Sequence, residues 1–266
     1  MKQHNELLQT AIRAAIEAGR DIMAIYDDPS ADFGIERKAD NSPLTRADKA
    51  AHARIMTFLE PTGIPVLSEE GAHLPYEERR HWQRLWIVDP LDGTKEFIKR
   101  NGEFTVNIAL VEDGTPTMGV IYVPVKQVLY FGGAELASPF TIPSSIKVIT
   151  PLPRSAQGDA SRPFTVVASR SHLSPETEAF INDLRREHPD FELISSGSSL
   201  KICLVAEGRA DIYPRHAPTM EWDTAAGHAI ALAAGCEMVE ATTGHPLTYN
   251  KPDLHNPWFI VRRSNA

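Results

Sequence analysis

Cysteine is scarce in this chain, with two residues, Cys203 and Cys236, among 266. They form neither a CxxC pair nor a zinc-binding spacing, so both fit a reducing compartment as small core residues. No hydrophobic run approaches the ~20 residues of a membrane span. The N-terminal residues also lack the apolar core of a signal peptide. We therefore expect a cytoplasmic protein without a membrane span.

Positive charge is in the minority. Lys and Arg together number 27 against 35 Asp and Glu, which gives a formal net charge of −8. An acidic chain without basic runs is a poor candidate for binding a nucleic acid duplex. We therefore expect no nucleic acid polymer as a partner, and any anionic ligand must be held by local cations or by a metal.

The order of the predicted elements indicates two unlike halves. Amphipathic helices over residues 4–27 and from Thr45 precede closely spaced strands, which indicates an α+β half with an antiparallel sheet. Residues 137–163 are rich in Pro and Ser and indicate an inter-domain region. Strands and helices alternate beyond it. The sequence thus predicts an α/β (α+β) protein with a metal-binding half at 1–155 and a substrate-binding half at 156–266.

Two apolar strands of the first half each end in a pair of acids, Glu69 with Glu70 and Asp89 with Asp92. A tight turn permitted by Gly93 can aim the two aspartates and the Leu91 carbonyl at one point. Oxygen ligands at this density suit a hard cation such as Mg²⁺. Surface acids in water are the alternative for either pair alone, and the repetition on two strands favours the metal site.

Asp48 and Asp223 each lie at the predicted start of a helix. Thr45 and Asp48 have the pattern of an N-cap and a first turn, and Asp223 opens a helix of small residues. Helix capping explains both acids when each is considered alone.

Two segments together resemble the paired signature of the inositol-monophosphatase-like, Mg²⁺-dependent, lithium-sensitive phosphatases. They are Asp89-Pro90-Leu91-Asp92-Gly93-Thr94 and Trp222-Asp223-Thr224-Ala225-Ala226-Gly227, in the family's order. Residues 95–107 are more similar to the CysQ branch, whose members are 3′(2′),5′-bisphosphate nucleotidases. The resemblance extends from Lys38 to the last helices. It implies a layered αβαβα sandwich with an N-terminal antiparallel sheet and a C-terminal mixed sheet.

The resemblance also implies roles for individual residues. The expected ligands of two or three Mg²⁺ ions are Glu69, Asp89, the Leu91 carbonyl, Asp92 and Asp223. The expected catalytic residues are Asp48 and Thr94, which would orient the nucleophilic water, and Glu69. Glu70 matches the paired acid of the family without being its principal ligand. The residues expected to contact substrate are Glu69, Leu91, Asp92, Gly93, Thr94, His172, Ser198, Lys201, Arg215 and Asp223.

The substrate end of the site is predicted around residues 197–201. Hydroxyls and a lysine at a helix N-terminus can hold an anion, although plain serine capping also explains this pattern. The resemblance places Ser198 and Lys201 at substrate-contacting positions. It places Arg215 and His172 at positions that contact the nucleotide phosphates or base, with solvated loop cations as the alternative.

The expected function is Mg²⁺-dependent hydrolysis of the 3′-phosphate of 3′-phosphoadenosine 5′-phosphate to AMP by a metal-activated water. The role implied is sulfate assimilation and turnover of this nucleotide. An inositol monophosphatase or a broad sugar-phosphate phosphatase is the alternative, because the same acids serve all three. Lys201, Arg215 and residues 95–107 favour the nucleotide.

A non-catalytic metal- or nucleotide-binding module is disfavoured because Asp48, Thr94 and the expected ligands are all present. The expected partner is a small bisphosphate nucleotide, and the chain is expected to be a monomer or a homodimer. Peripheral attachment to the cytoplasmic face of the inner membrane is known in the branch and leaves no trace in the sequence.

Overall fold

The computed structural model describes residues 2–38, 41–72, 74–134, 140–149, 162–170 and 173–263. Its helices are Lys2–Tyr26 (α1), Arg46–Leu59 (α2), Tyr76–Arg79 (α3), Thr94–Ile98 (α4), Pro175–Glu187 (α5), Leu200–Ala206 (α6) and Glu221–Ala233 (α7), with a 3₁₀ turn at Glu60–Thr62. Its strands are Glu36–Arg37 (β1), Pro43–Leu44 (β2), Val66–Ser68 (β3), Arg84–Asp92 (β4), Thr105–Glu112 (β5), Thr115–Val123 (β6), Val128–Gly132 (β7), Lys147–Ile149 (β8), Phe164–Ser169 (β9), Phe191–Ser196 (β10), Ile212–Arg215 (β11), Cys236–Glu240 (β12) and Phe259–Arg263 (β13).

The first large sheet has six strands in the order β3-β4-β5-β6-β7-β8. The consecutive strands β4 to β7 pair antiparallel, as the short turns predicted. The two edge pairs, β3 with β4 and β7 with β8, are parallel instead. Parallel neighbours need a long connection, and more than a dozen residues separate β3 from β4 and β7 from β8 along the chain. The sheet is therefore antiparallel at its centre and mixed at its edges.

The second large sheet has five strands in the order β10-β9-β11-β13-β12. Strands β9, β10 and β11 run parallel, whereas β13 is antiparallel to both of its neighbours. This confirms the predicted mixed sheet.

Five layers follow from the faces that each element buries. Helices α1 and α2 cover one face of the six-stranded sheet, through apolar positions such as Leu8, Ile12 and Ile55. Helices α6 and α7 lie between the two sheets. Helix α5 covers the outer face of the second sheet, where Ile181 packs against strand residues. The predicted αβαβα sandwich is confirmed.

Helix α7 lies unusually close to the first sheet. A Cβ atom added at Gly119 of β6 would stand 2.1 Å from the Ala226 carbonyl oxygen, so this strand position requires glycine. The small residues of α7 allow this approach. Asp223, in the first turn of α7, is thereby brought to the end of the sheet where the paired acids lie.

The predicted division between residues 155 and 156 falls within 150–161, outside the described residues. Along the chain, the six-stranded sheet ends at Ile149 and the five-stranded sheet begins at Phe164. Among the described residues, no helix is both long and apolar enough to cross a membrane.

Candidate active site

The end of β4 carries the first two acids of the site. The strand continues beyond Val88 to Asp92, and its register with β5 shifts between Asp89 and Asp92. The Leu91 N–H donates to Asp89 Oδ1 at 3.0 Å within this irregular stretch. Gly93 then adopts a φ of 94°, a left-handed conformation that favours glycine, and leads into α4. The strand end itself, not a loop after it, therefore holds both aspartates.

Three buried or half-buried aspartates converge from two elements. One carboxylate oxygen from each of Asp89, Asp92 and Asp223 lies within 4.8 Å of the other two. Burial, followed by the negative charges of Glu69, Asp92 and Asp223, raises the pKa of Asp89 well above its ordinary value. Burial and Asp92 likewise raise the pKa of Asp223 to about 8. Crowded carboxylates of this kind are stabilised by a bound cation, so the donor set fits a hard metal ion.

Glu69 lies directly after β3 and extends this cluster. Its side chain contacts Asp89, and burial raises its pKa even though Lys38 opposes the shift. Lys38 Nζ donates to Glu69 Oε1 at 2.7 Å and also to Glu70 Oε1. Glu69 was predicted as a site residue and Glu70 as its paired acid, whereas Lys38 was not predicted to take part in the site. It lies 31 positions before Glu69 and carries no local pattern that would have identified it.

Asp48 serves both as a helix cap and as a partner of Thr94. Its Oδ2 accepts from the backbone and hydroxyl of Thr45, at 2.7 and 2.5 Å, in the predicted capping box. Its Oδ1 accepts from Thr94 Oγ1 at 3.1 Å. Thr94 Oγ1 also lies 3.3 Å from the Leu91 carbonyl oxygen. Capping and participation in the site are therefore compatible.

A cavity of about 260 Å³ opens over this cluster and reaches the second half of the chain. Of the residues predicted for the site, those that line it are Glu69, Asp92, Gly93, Thr94, Ser198, Lys201, Arg215 and Asp223. Asp48, Asp89 and Leu91 lie behind this lining and contact it through the bonds described above. His172 lies outside the described residues.

Two buried cations, Lys201 and Arg215, line the same cavity. Lys201 is 6% exposed, and its Nζ donates to the Ser198 carbonyl and lies 5.4 Å from the centre of the Tyr213 ring. Burial, with a smaller contribution from Arg215, lowers the pKa of Lys201 to about 8. Helix α6 begins at Leu200, so Lys201 lies in its first turn. Its low exposure shows that it is not a solvated side chain.

Two buried polar atoms beside Lys201 have no hydrogen-bond partner among the described residues, Ser198 Oγ and Arg215 Nε. Arg215 is 8% exposed, which excludes the solvated loop cation considered as the alternative. Buried donors without partners are costly unless a ligand satisfies them. The cavity thus holds both a cluster of carboxylates and a group of donors suited to an anion.

Comparisons with known proteins agree with this geometry. The model of the Inositol monophosphatase family matches residues 3–259. The 3′(2′),5′-bisphosphate nucleotidase CysQ of Escherichia coli K12 is 47% identical over 258 residues, which cover 96% of this chain and 99% of that protein. Its namesake in Haemophilus influenzae is 31% identical over 262 residues, covering 97% and 93%.

Solved structures also align with this chain over nearly its whole length. The crystal structure of CysQ from Bacteroides thetaiotaomicron aligns with a TM-score of 0.83 at 54% identity, covering 98% of each chain. An IMPase of Thermotoga maritima aligns with a TM-score of 0.73 at 21% identity, covering 98% of this chain and 93% of that one. At that identity the second likeness concerns the fold alone.

Proposed function

This chain belongs to the inositol monophosphatase family, and we propose that it is a Mg²⁺-dependent 3′(2′),5′-bisphosphate nucleotidase. It hydrolyses the 3′-phosphate of 3′-phosphoadenosine 5′-phosphate to AMP. One observation carries the proposal beyond the family: a single cavity is lined both by the carboxylates of Glu69, Asp92 and Asp223 and by Lys201, Arg215 and Ser198. Several CysQ proteins that are 31–48% identical over 96–97% of this chain support the same substrate class.

The carboxylates that converge at the cavity would hold the metal. The ligands that we propose for two or three Mg²⁺ ions are Glu69, Asp89, the Leu91 carbonyl, Asp92 and Asp223. Bound Mg²⁺ would lower the pKa of a water molecule and offset the charge of the phosphoryl oxygens. The raised pKa values of Asp89 and Asp223 support this assignment, because they reflect negative charge that a cation would neutralise.

Thr94 and Asp48 supply the group that orients the attacking water. Since the Thr94 hydroxyl donates a hydrogen bond to Asp48 Oδ1, its lone pairs are available to accept a hydrogen bond from a water in the cavity. As the water attacks, its proton would pass to Thr94 Oγ1 while the Thr94 proton passes to Asp48 Oδ1. Asp48 is fixed by Thr45 at its other oxygen, and burial raises its pKa, which makes it a better proton acceptor. The pair therefore orients the water and receives its proton.

The buried cations of the cavity would bind the phosphate that is not cleaved. A bisphosphate nucleotide has a second phosphate that the metal site does not hold, and Lys201 and Arg215 are buried cations that line the cavity. Ser198 Oγ adds a donor without a partner among the described residues. Gly93, which follows Asp92, lies close to Ser198, since a Cβ there would lie 3.3 Å from Ser198 Cβ.

The alternative activities use less of this cavity. An inositol monophosphate or a simple sugar phosphate has no second phosphate to satisfy Lys201 and Arg215. A module that only binds its ligand would not need the Thr94–Asp48 hydrogen bond. A cytoplasmic location and the monomeric or homodimeric state remain predictions from the sequence.

The identity of the nucleoside product tests the proposal. Adenosine 3′,5′-bisphosphate is incubated with the protein and Mg²⁺, and the products are separated by chromatography. We expect AMP with its phosphate at the 5′ position, together with one equivalent of inorganic phosphate. Adenosine 3′-phosphate as the product, or equal turnover after complete chelation of divalent cations, would overturn the proposal.

A further inference from the structure

Asp92 is oriented by donors from both halves of the chain. Its Oδ2 accepts from the backbone N–H of Ser199 and from the Ser199 hydroxyl, each at 2.6 Å. A third donor, Asn107 Nδ2, lies 3.2 Å from the same oxygen. Ser199 precedes α6 and Asp92 ends β4, so the Ser199 bonds join the first sheet to the helices that lie between the two sheets. The Asn107 bond lies within the first sheet, between β5 and β4.

Asn107 is itself held in one orientation. Its Oδ1 accepts from Thr105 Oγ1 at 2.9 Å, and its Nδ2 also donates to Ser199 Oγ at 2.8 Å. With the amide oxygen directed to a hydroxyl donor, the amide nitrogen faces the carboxylate. Thr105, Asn107 and Ser199 are each at most 3% exposed, so bulk water does not replace a lost bond in this network.

The network also reaches a second acid of the cluster. Ser199 Oγ lies 2.8 Å from the backbone carbonyl oxygen of Asp223. One hydroxyl therefore contacts the carboxylate of Asp92 and the main chain of Asp223, two of the three aspartates that converge. A change at Ser199 would alter the relative position of both.

We propose that Asn107 and Ser199 are positioning residues for metal binding, which hold Asp92 Oδ2 so that Oδ1 is the oxygen offered to the cation. The inference rests on the proposed metal-dependent phosphatase activity. Mg²⁺ demands near-ideal octahedral geometry, so a carboxylate free to rotate is a poorer ligand than one fixed through its other oxygen. Residues that orient metal ligands typically contribute about 10–100-fold to metal affinity or activity.

Mn²⁺ binding, followed by electron paramagnetic resonance of the free ion, tests the proposal without turnover. The variants are Asn107→Leu and Ser199→Ala, which remove one side-chain donor each. Thr177→Val is the matched control, because it removes a buried hydroxyl of α5 on the outer face of the second sheet. We expect the Mn²⁺ Kd of both test variants to rise about tenfold or more, with the control equal to wild type.

Kinetics supply the second readout. At limiting Mg²⁺ the test variants should lose turnover, and a raised Mg²⁺ concentration should restore most of it, which a purely structural role would not produce. If Asn107→Leu fails to fold, Thr105→Val leaves Asn107 in place but releases its amide. That variant should raise the Mn²⁺ Kd several-fold, in keeping with the range for such residues.

Folded variants with the wild-type Mn²⁺ Kd and the wild-type Mg²⁺ dependence would overturn the positioning role. A wild-type protein that binds Mn²⁺ but hydrolyses no bisphosphate would overturn the proposed function. The Mn²⁺ Kd values of the variants would still test the positioning role of Asn107 and Ser199. A wild-type protein that binds no Mn²⁺ would overturn both.

Discussion

Thr94 Oγ1 donates a hydrogen bond to Asp48 Oδ1 across 3.1 Å, and this bond joins the first residue of α4 to the first turn of α2. The two residues are 46 positions apart. Asp48 uses its other oxygen to cap its own helix through Thr45, so the capping box fixes the carboxylate that Thr94 needs. Helix capping and the proposed handling of water are thus performed by different oxygens of one side chain.

Replacement of Thr94 should slow the chemical step without loss of metal. We expect Thr94→Ala to lower kcat by ~10²-fold or more, since a positioned acid–base group contributes about that much. Mn²⁺ affinity should remain close to wild type, and Thr94→Ser should retain most of the activity. Single-turnover kinetics and Mn²⁺ titration measure the two effects. A Thr94→Ala variant with wild-type kcat would contradict the assignment.

Replacement of Asp89 should separate stability from activity. Asp89→Asn removes a carboxyl group that is buried among negative charges, so we expect the metal-free variant to unfold at a higher temperature than wild type while turnover is abolished. When the pKa of a carboxyl group is higher in the folded than in the unfolded protein, the folded state loses stability as the pH rises. The difference in Tm between Asp89→Asn and wild type should therefore be larger at pH 8 than at pH 5.

Calorimetry in the presence of a chelator measures the effect of Asp89→Asn. Asp113→Asn, in the exposed turn between β5 and β6, is the control and should shift the Tm little at either pH. A lower Tm for metal-free Asp89→Asn at both values would show that Asp89 stabilises the fold, contrary to the account.

Replacement of Lys201 should change specificity. Lys201→Met keeps the buried hydrocarbon and removes the charge, and should weaken the adenosine bisphosphate by ~1.5–3 kcal/mol, the usual range for a hydrogen bond to a charged group. Hydrolysis of inositol 1-phosphate should barely change. Values of kcat/KM for both substrates test this, with the exposed Lys147→Met as the control. An equal drop on both substrates would place Lys201 outside a second-phosphate site.

His228 should make the protein sensitive to acid. Burial lowers its pKa to about 4, and its Nδ1 lies 3.0 Å from the Tyr249 hydroxyl. Because the folded pKa lies below the unfolded value near 6.5, this group contributes stability above pH 6.5 that is lost as the pH falls toward 4. The full shift corresponds to about 3 kcal/mol.

Urea unfolding at pH 6.5 and pH 4.5 measures the acid effect. His228→Gln should lose less free energy of unfolding between the two values than wild type does. The exposed His245→Gln is the control and should follow wild type. Parallel losses for wild type and His228→Gln would show that His228 does not titrate in this way.

Much of the fold can be predicted from periodicity and turns. The apolar spacing of α1 and the Thr45 cap of α2 are local signals, and both helices form as expected. Strand β8, helix α4 and the parallel pairing of β3 were not predicted. Strand β8 and α4 are only three and five residues long. Long connections join β3 and β8 to their parallel partners, and local sequence patterns do not reveal which strand such a connection reaches.

The candidate site divides in a similar way. Carboxylates at strand ends and helix starts are visible as residue types, and Asp89, Asp92 and Asp223 do converge. Asn107 and Lys38 were not predicted as site residues. Asn107 interrupts an apolar strand with a single polar residue, and its contact with Ser199 spans 92 positions. Such contacts depend on how the two sheets pack, which spacing along the chain does not encode.

The most direct test of the central claim is a comparison of kcat/KM for 3′-phosphoadenosine 5′-phosphate and inositol 1-phosphate, with the wild-type protein in Mg²⁺. The account predicts a clear preference for the bisphosphate nucleotide, with AMP and inorganic phosphate as products, and loss of activity on chelation. Equal or better hydrolysis of inositol 1-phosphate would contradict it.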